Sequence, residues 1–166
     1  PYAEDDEPAP QSVYGAMKLA GERFAAAAPK HYVLRLSSLY GGHTGRTTVD
    51  WFVRQASAGG PVRAFADRTV SPSYVPDVVR ATLDLVGRGA PFGLYHCGSP
   101  DWCAWADIAG HILAACGRPE LLEAVPFAHA PGRAARPRHC AMSSAKLGSV
   151  ARAPRDWRTA LDDYLA

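Results

Sequence analysis

The chain of 166 residues carries little charge, 20% in all, and little surplus of either sign, since 18 basic and 16 acidic residues leave a net charge of +2. So mild a surplus argues against a partner held by charge alone, and neither a nucleic acid nor a membrane surface is expected. No run approaches the roughly 20 apolar residues that cross a bilayer, and the opening PYAEDDEPAP lacks the basic and apolar regions of a secretion signal. The four cysteines, Cys97, Cys103, Cys116 and Cys140, lack the C-x-x-C pairing of a zinc or redox site. The six histidines show no H-E-x-x-H or paired metal spacing, and Ser12 and Ser37 sit in no recognisable hydrolase motif. No metal is therefore expected, and the thiols are expected to be reduced in a cytoplasmic setting. What is present is an apolar fraction of 48%, which excludes disorder and suffices for one globular core.

Residues 1–10, acidic and proline-rich, predict an extended lead-in that Pro8 and Pro10 keep from becoming helix. From Gln11 the apolar spacing of Val13, Met17, Ala20 and Phe24 predicts a helix that buries this face and stops before Pro29. HYVLRL (31–36) predicts a strand, residues 47–58 a helix ended by Gly59-Gly60, and residues 61–66 another strand. Pro76 opens a helix with Val79, Leu83 and Val86 at core spacing, and GLYHC (93–97) is a further strand. Trp105, Ile108, Ala109, Ile112, Leu113 and Cys116 mark the clearest amphipathic helix, with Trp102 expected to cap its first turn. A final helix sets Trp157, Ala160, Leu161 and Tyr164 on one side. Alternating helices and strands favour an α/β architecture. The few strands visible, and a first residue that is Pro1 and not Met, lead us to expect a piece of something longer.

Tyr14-Gly15-Ala16-Met17-Lys18 puts a phenol and an ammonium one helical turn apart on the same face. A free tyrosine titrates near 10, and a neighbouring cation favours the phenolate, so the pair suits proton transfer. In the C-terminal third, eight basic residues (Arg118, Arg133, Arg136, Arg138, Lys146, Arg152, Arg155, Arg158) face only Glu120, Glu123 and Asp156. Arginine suits phosphate because its planar fork donates two hydrogen bonds at once.

These segments, in order, resemble the extended short-chain dehydrogenase/reductases, and among them the dTDP-4-dehydrorhamnose reductase branch. The resemblance rests on PYAEDDEPAPQSVYGAMKLAGE (1–22), RLSSLYGG (35–42), DRTVSPSYVPDVV (67–79), GLYHCGSPDWCAWADIA (93–109), ARPRHCAMSSAKLG (135–148) and DWRTAL (156–161). It implies an α/β fold, the C-terminal part of a Rossmann-type fold plus a small substrate-binding subdomain. Residues 1–36 would give the Tyr-x-x-x-Lys helix and the next strand, and residues 37–166 mainly the substrate-binding region.

The resemblance further implies that Tyr14 gives a proton to the C4 oxygen of a dTDP-4-keto-6-deoxyhexose while NADPH or NADH supplies hydride. Lys18 would hold the nicotinamide ribose. By position, Leu36 and Ser37 would lie along the cofactor, and Ser38 and Arg136 would bind the nucleotide-diphosphate sugar. Members of the branch often carry tryptophan where Ser38 stands, so the sugar is left open. The glycine-rich dinucleotide fingerprint is absent from the chain, which implies a missing N-terminal portion of about 100 to 150 residues. A homodimer is compatible with the resemblance. An epimerase or dehydratase of related sugars, or a non-catalytic nucleotide-sugar-binding module, stays open as an alternative.

Overall fold

The prolines of the lead-in give way at Ser12, whose hydroxyl accepts from the Gly15 N–H at 3.2 Å and starts helix α1 (Val13–Ala26). The structure is a computed structural model and describes residues 1–127 and 135–166. Arg133 and His129 lie outside the described residues. Strand β1 (Tyr32–Arg35) follows α1 and pairs in parallel with β6 (Gly93–His96). Between them the chain forms β2 (Leu39–Tyr40), α2 (Thr48–Ala58), β3 (Val62–Phe65), β4 (Thr69–Val70), β5 (Ser73–Tyr74) and α3 (Val75–Gly87). Beyond β6 come β7 (Cys103–Ala104), α4 (Trp105–Ala115), a 3-10 turn (Pro119–Leu121), β8 (Leu122–Val125), β9 (His139–Cys140), α5 (Ala145–Val150) and α6 (Trp157–Leu165). The α/β class expected from the alternation is the class observed. Among the described residues the strands form four small sheets, three of them two-stranded and parallel (β1–β6, β2–β5, β3–β8), the fourth ordered β7–β4–β9.

Two apolar clusters organise these layers. The larger gathers Val49, Phe52 and Ala56 of α2, Ile108, Ile112 and Leu113 of α4, Val62 of β3, and Trp157 and Leu161 of α6. The smaller joins Ala81 and Leu85 of α3 to Tyr95 of β6, Cys97 and Leu147 of α5, with Tyr32 and Leu34 packed against them. All four cysteines are free thiols, and burial pushes Cys97 up to about 12, which keeps it protonated.

The expected helices α4 and α6 bury the stripes that their spacing marks, and α2 buries Phe52 and Ala56 of its expected face of Trp51, Phe52 and Gln55/Ala56 while Trp51 stays exposed. The expectation fails for α1 and α3. No residue of α1 is buried, and Val13, Met17 and Phe24 are exposed, Phe24 to 81%. Its packed face is Ser12, Gly15, Leu19 and Glu22, the last gripping Arg35 of β1 at 2.7 Å. In α3 the expected core residues Val79, Leu83 and Val86 are exposed, while Asp77, Ala81 and Leu85 turn inward. Periodicity marks an apolar face, but only tertiary contact decides what covers it. Trp102 does not cap α4 either. It is exposed, Cys116 is exposed past the helix end, and the N–H of Ala104 is taken by the Asp107 carboxylate at 2.8 Å.

Asp77, in the first turn of α3 and 2% exposed, ties α3 to the C-terminal segment. Its carboxylate accepts from the Arg155 backbone N–H at 3.0 Å and from the Arg155 guanidinium at 2.9–3.2 Å, and it also pairs with Arg80. Arg155 stacks on Tyr74, 5.4 Å from its ring centroid, and reaches Asp163 of α6 at 3.1 Å. Burial pushes the Asp77 carboxyl upward, but the Arg155 hydrogen bonds outweigh it and hold the group below the usual carboxylate range. Asp50, raised by burial but bonded by Thr47 and Tyr164, and Asp156, bonded by Thr159, are held low in the same way.

Arg155→Ala leaves this buried carboxylate with Arg80 and one backbone N–H. The expected cost is about 3 kcal/mol, the low end for breaking a buried pair because Arg155 is partly exposed, read as a lower urea midpoint. A carboxylate held below its unfolded value of about 3.9 stabilises the fold above that pH and ceases to do so as pH falls through it. Asp77→Asn is therefore expected to reduce the loss of stability on acidification below about pH 4. An unchanged acid slope contradicts the role given to this carboxylate.

Candidate functional site

Because Ser12 starts α1, Tyr14 falls in its first turn and Lys18 one turn later, with the Lys18 ammonium 5.7 Å from the Tyr14 ring centroid. Gly15 sits under the lead-in so closely that a Cβ there would lie 3.1 Å from the Pro10 Cβ. The lead-in therefore passes directly over the start of the helix.

At the other side of the site the chain leaves the β1–β6 sheet. The Ser37 N–H donates to the Ser73 hydroxyl at 3.2 Å, and that hydroxyl donates to the Cys97 carbonyl at 2.9 Å. Ser38 then takes φ +52°, a left-handed conformation rare for a residue with a side chain, and the chain enters β2, paired with β5. Gly41 follows with φ +81°, where a Cβ would lie 2.2 Å from the Tyr74 ring. Strain at Ser38 and close approach at Gly41 aim this loop.

The loop borders a cavity of about 910 Å³. Of the residues expected to form a site, Tyr14, Leu36, Ser37, Ser38 and Arg136 line it. Lys18 does not. It lines an adjoining groove of about 590 Å³ between α1 and β1, with Tyr32 and Val33, and Tyr14 borders both spaces. Among the described residues β1 has no strand on its side away from β6.

The cavity also holds residues that spacing does not point to. Arg46 lies in the glycine-rich loop, Arg68 precedes β4, and Trp105 begins α4. Thr47 and Thr48 stand at the start of α2, where Asp50 accepts from the Thr47 N–H at 2.7 Å and the Thr47 hydroxyl accepts from the Asp50 N–H at 3.2 Å. That Thr-x-x-Asp box is legible in sequence as a helix start. For Arg68 and Trp105 no local signal exists, because they reach the cavity through tertiary packing.

Three arginines, Arg46, Arg68 and Arg136, line the cavity with no carboxylate among its lining residues. Arg68 is held by the Pro137 carbonyl at 3.1 Å and lies 5.4 Å from the Phe127 ring centroid. Burial pulls its guanidinium below the usual arginine value; the nearby Cys140 acts upward and Arg136 downward. Five other members of the basic cluster of the C-terminal third are engaged elsewhere. Arg118 bonds the Ala56 carbonyl, Arg138 pairs with Asp67, Lys146 bonds the Leu94 carbonyl, Arg155 holds Asp77 and Arg158 faces Asp101. Only Arg136 of that cluster's described residues reaches the cavity.

A family model for the RmlD substrate binding domain matches residues 1–166. The dTDP-4-dehydrorhamnose reductase of Mycolicibacterium smegmatis is 36% identical over 169 aligned residues, covering 100% of this chain and 52% of that protein. The chain thus spans about half the length of the curated relatives it matches. Among solved structures it is similar to the dTDP-4-dehydrorhamnose reductase of Clostridium acetobutylicum, with 28% identity, TM-score 0.85, and coverage of 99% of this chain and 59% of that one. It is also similar to the dTDP-4-dehydrorhamnose reductase of Bacillus anthracis in complex with NADP, with 27% identity, TM-score 0.86, and coverage of 99% and 58%.

The left-handed turn at Ser38 makes a separable prediction. Ser38→Gly relieves the backbone and is expected to leave stability within about 1 kcal/mol or raise it. Ser38→Val places a branched side chain at positive φ and is expected to cost about 1–2 kcal/mol. Urea unfolding of the two variants checks the order, and equal stabilities contradict it.

Proposed function

The chain belongs to the RmlD substrate binding domain family, and on that premise we propose that it is the substrate-binding part of an NAD(P)H-dependent reductase acting on the C4 keto group of a dTDP-4-keto-6-deoxyhexose. The observation that carries this reading is the place of Tyr14, between a cavity lined by arginines without carboxylates and the groove that holds Lys18. An uncompensated positive cavity suits an anionic substrate such as a nucleotide-diphosphate sugar.

Tyr14 and Lys18 fit the ribose end of a nicotinamide nucleotide, since a phenol and an ammonium stand on one helix face beside a groove along β1. Leu36 and Ser37, which line the same cavity as Tyr14, complete the part of that site carried by this chain. The cofactor, when bound, supplies hydride to C4. Tyr14 gives its phenolic proton to the C4 oxygen, so the carbonyl becomes an alcohol, and the Lys18 ammonium stabilises the phenolate left behind. Ser38 and Arg136, which line the same cavity, hold the substrate. Residues 1–36 thus contribute the proton donor and residues 37–166 mainly the substrate cavity. No helix among the described residues is long and apolar enough to cross a membrane, and we assign the protein to the cytoplasm.

The test uses a longer form of the protein that carries a dinucleotide-binding half. Tyr14→Phe is expected to lower NADPH consumption with a dTDP-4-keto-6-deoxyhexose by about 10²–10⁴-fold, while the dissociation constant for the dTDP-sugar stays within about twofold. Near-normal turnover by Tyr14→Phe overturns the reading.

A further inference from the structure

His96, the last residue of β6, is 1% exposed, and neither nitrogen of its ring has a hydrogen-bond partner among the described residues. The lead-in and the stretch 141–143 lie against it. Tyr2 runs parallel to Met142, its N–H donating to the Ala141 carbonyl and its carbonyl accepting from the Ser143 N–H, each at 2.8 Å. Two residues on, the Glu4 carboxylate accepts from the His96 backbone N–H at 2.7 Å, and the Asp6 carboxylate accepts from the Ala3 N–H at 2.8 Å. No residue from Pro1 to Pro10 is itself buried. This strap is therefore held by a few polar contacts and not by a core. Together with Leu36 and Ser37 it borders a cavity of about 360 Å³, and Pro10 at its far end rests on Gly15 in the first turn of α1.

An imidazole buried without partners is costly when neutral and far more so when charged. Burial is the largest influence on the His96 ring and acts against its proton. The Glu4 carboxylate acts for the proton, Arg35 against it, and the backbone at Tyr2 and Ser143 for it, and the balance holds the ring below the usual histidine value. Arg35, opposite His96 on β1, is itself paired with Glu22. Asp6, Glu7, His139 and Cys140 line the same cavity as His96. A histidine held below its ordinary value of about 6.5 takes a proton more readily once water reaches it. Falling pH therefore favours the form with the strap lifted, starting at about 6.5, and above that pH the bias vanishes.

We propose that the strap from Tyr2 to Glu7 is a pH-released latch: protonation of His96 on mild acidification lifts it from β6 and from residues 141–143, and with it the lead-in to the helix that carries Tyr14. Lifting also opens the covered space beside Leu36 and Ser37, at the carboxyl end of β1. The latch works in this way whatever ligand the neighbouring cavity takes.

The experiment is native-state hydrogen exchange of the 166-residue chain at about pH 7.5 and about pH 5, corrected for the intrinsic pH dependence of exchange. The amides of Tyr2, His96 and Ser143 close the strap. Relative to Ile112 and Leu113 in the core of α4, their protection is expected to fall roughly tenfold or more at the lower pH, since each unit by which the ring is held down is tenfold in the population of the lifted form. His96→Leu, which has nothing to titrate, should abolish that fall. Glu4→Gln keeps an acceptor for the His96 N–H and loses the charge that favours the imidazolium, so the fall should persist or grow. His139→Gln, on the wall of the same cavity and bonded to Thr69, should behave as the unaltered chain does. Equal protection at both pH values in the unaltered chain, or a fall shared equally by Ile112 and Leu113, overturns the latch. So does a fall that survives in folded His96→Leu, or one that disappears in Glu4→Gln or His139→Gln and so belongs to another group. Where His96→Leu fails to fold, the unaltered chain and the other two variants still decide.

Discussion

One buried carboxylate, that of Asp77, holds the layers of this chain in register. It stands in the first turn of α3 directly after β5, and Arg155 closes on it from the segment that leads into α6. Taking such a group out of water costs more than a single contact returns, so it is retained only with several charge-assisted hydrogen bonds, which Arg155 and Arg80 provide. The position of β5 follows from that clamp. Because β5 pairs with β2, so does the path of the loop at Ser37 and Ser38.

The candidate site is the place where separately positioned segments converge. Helix α1 brings Tyr14 from one side, and the loop after β1 brings Ser37 and Ser38. The strands β4 and β9, paired with each other, bring Arg68 and the stretch from Arg136 to Cys140. Their pairing explains why Arg68 can hold the Pro137 carbonyl across 69 residues of chain. Polar groups that a compact domain would normally neutralise are left facing one space, which is the physical signature of a site shaped for a charged ligand.

Much of this was legible in the sequence, and the parts that were not have a common cause. Helices α2, α4 and α6 were legible because their apolar stripes are covered by one another. The stripes of α1 and α3 were equally legible as patterns, yet among the described residues nothing covers Met17, Phe24, Leu83 or Val86. The two-residue strands β2, β4, β7 and β9 escaped because pairing across distant segments leaves almost no local periodicity. Tyr14 and Lys18 stood out through spacing within a single helix. Arg46, Arg68 and Trp105 share the cavity only through the tertiary fold, and no window of sequence contains that relation.

Whether one cavity, bordered by Tyr14 and three arginines, receives a nucleotide-diphosphate sugar is tested most directly by a two-dimensional ¹H–¹⁵N spectrum of the chain titrated with dTDP-rhamnose. The amides that shift are expected to cluster at Tyr14–Gly15, Leu36–Leu39, Arg46–Val49, Arg68 and Arg136–Cys140. Shifts centred instead on the groove lined by Tyr2, Asp67 and Trp102, with the Tyr14 and Arg68 amides unmoved, would contradict that placement of the ligand.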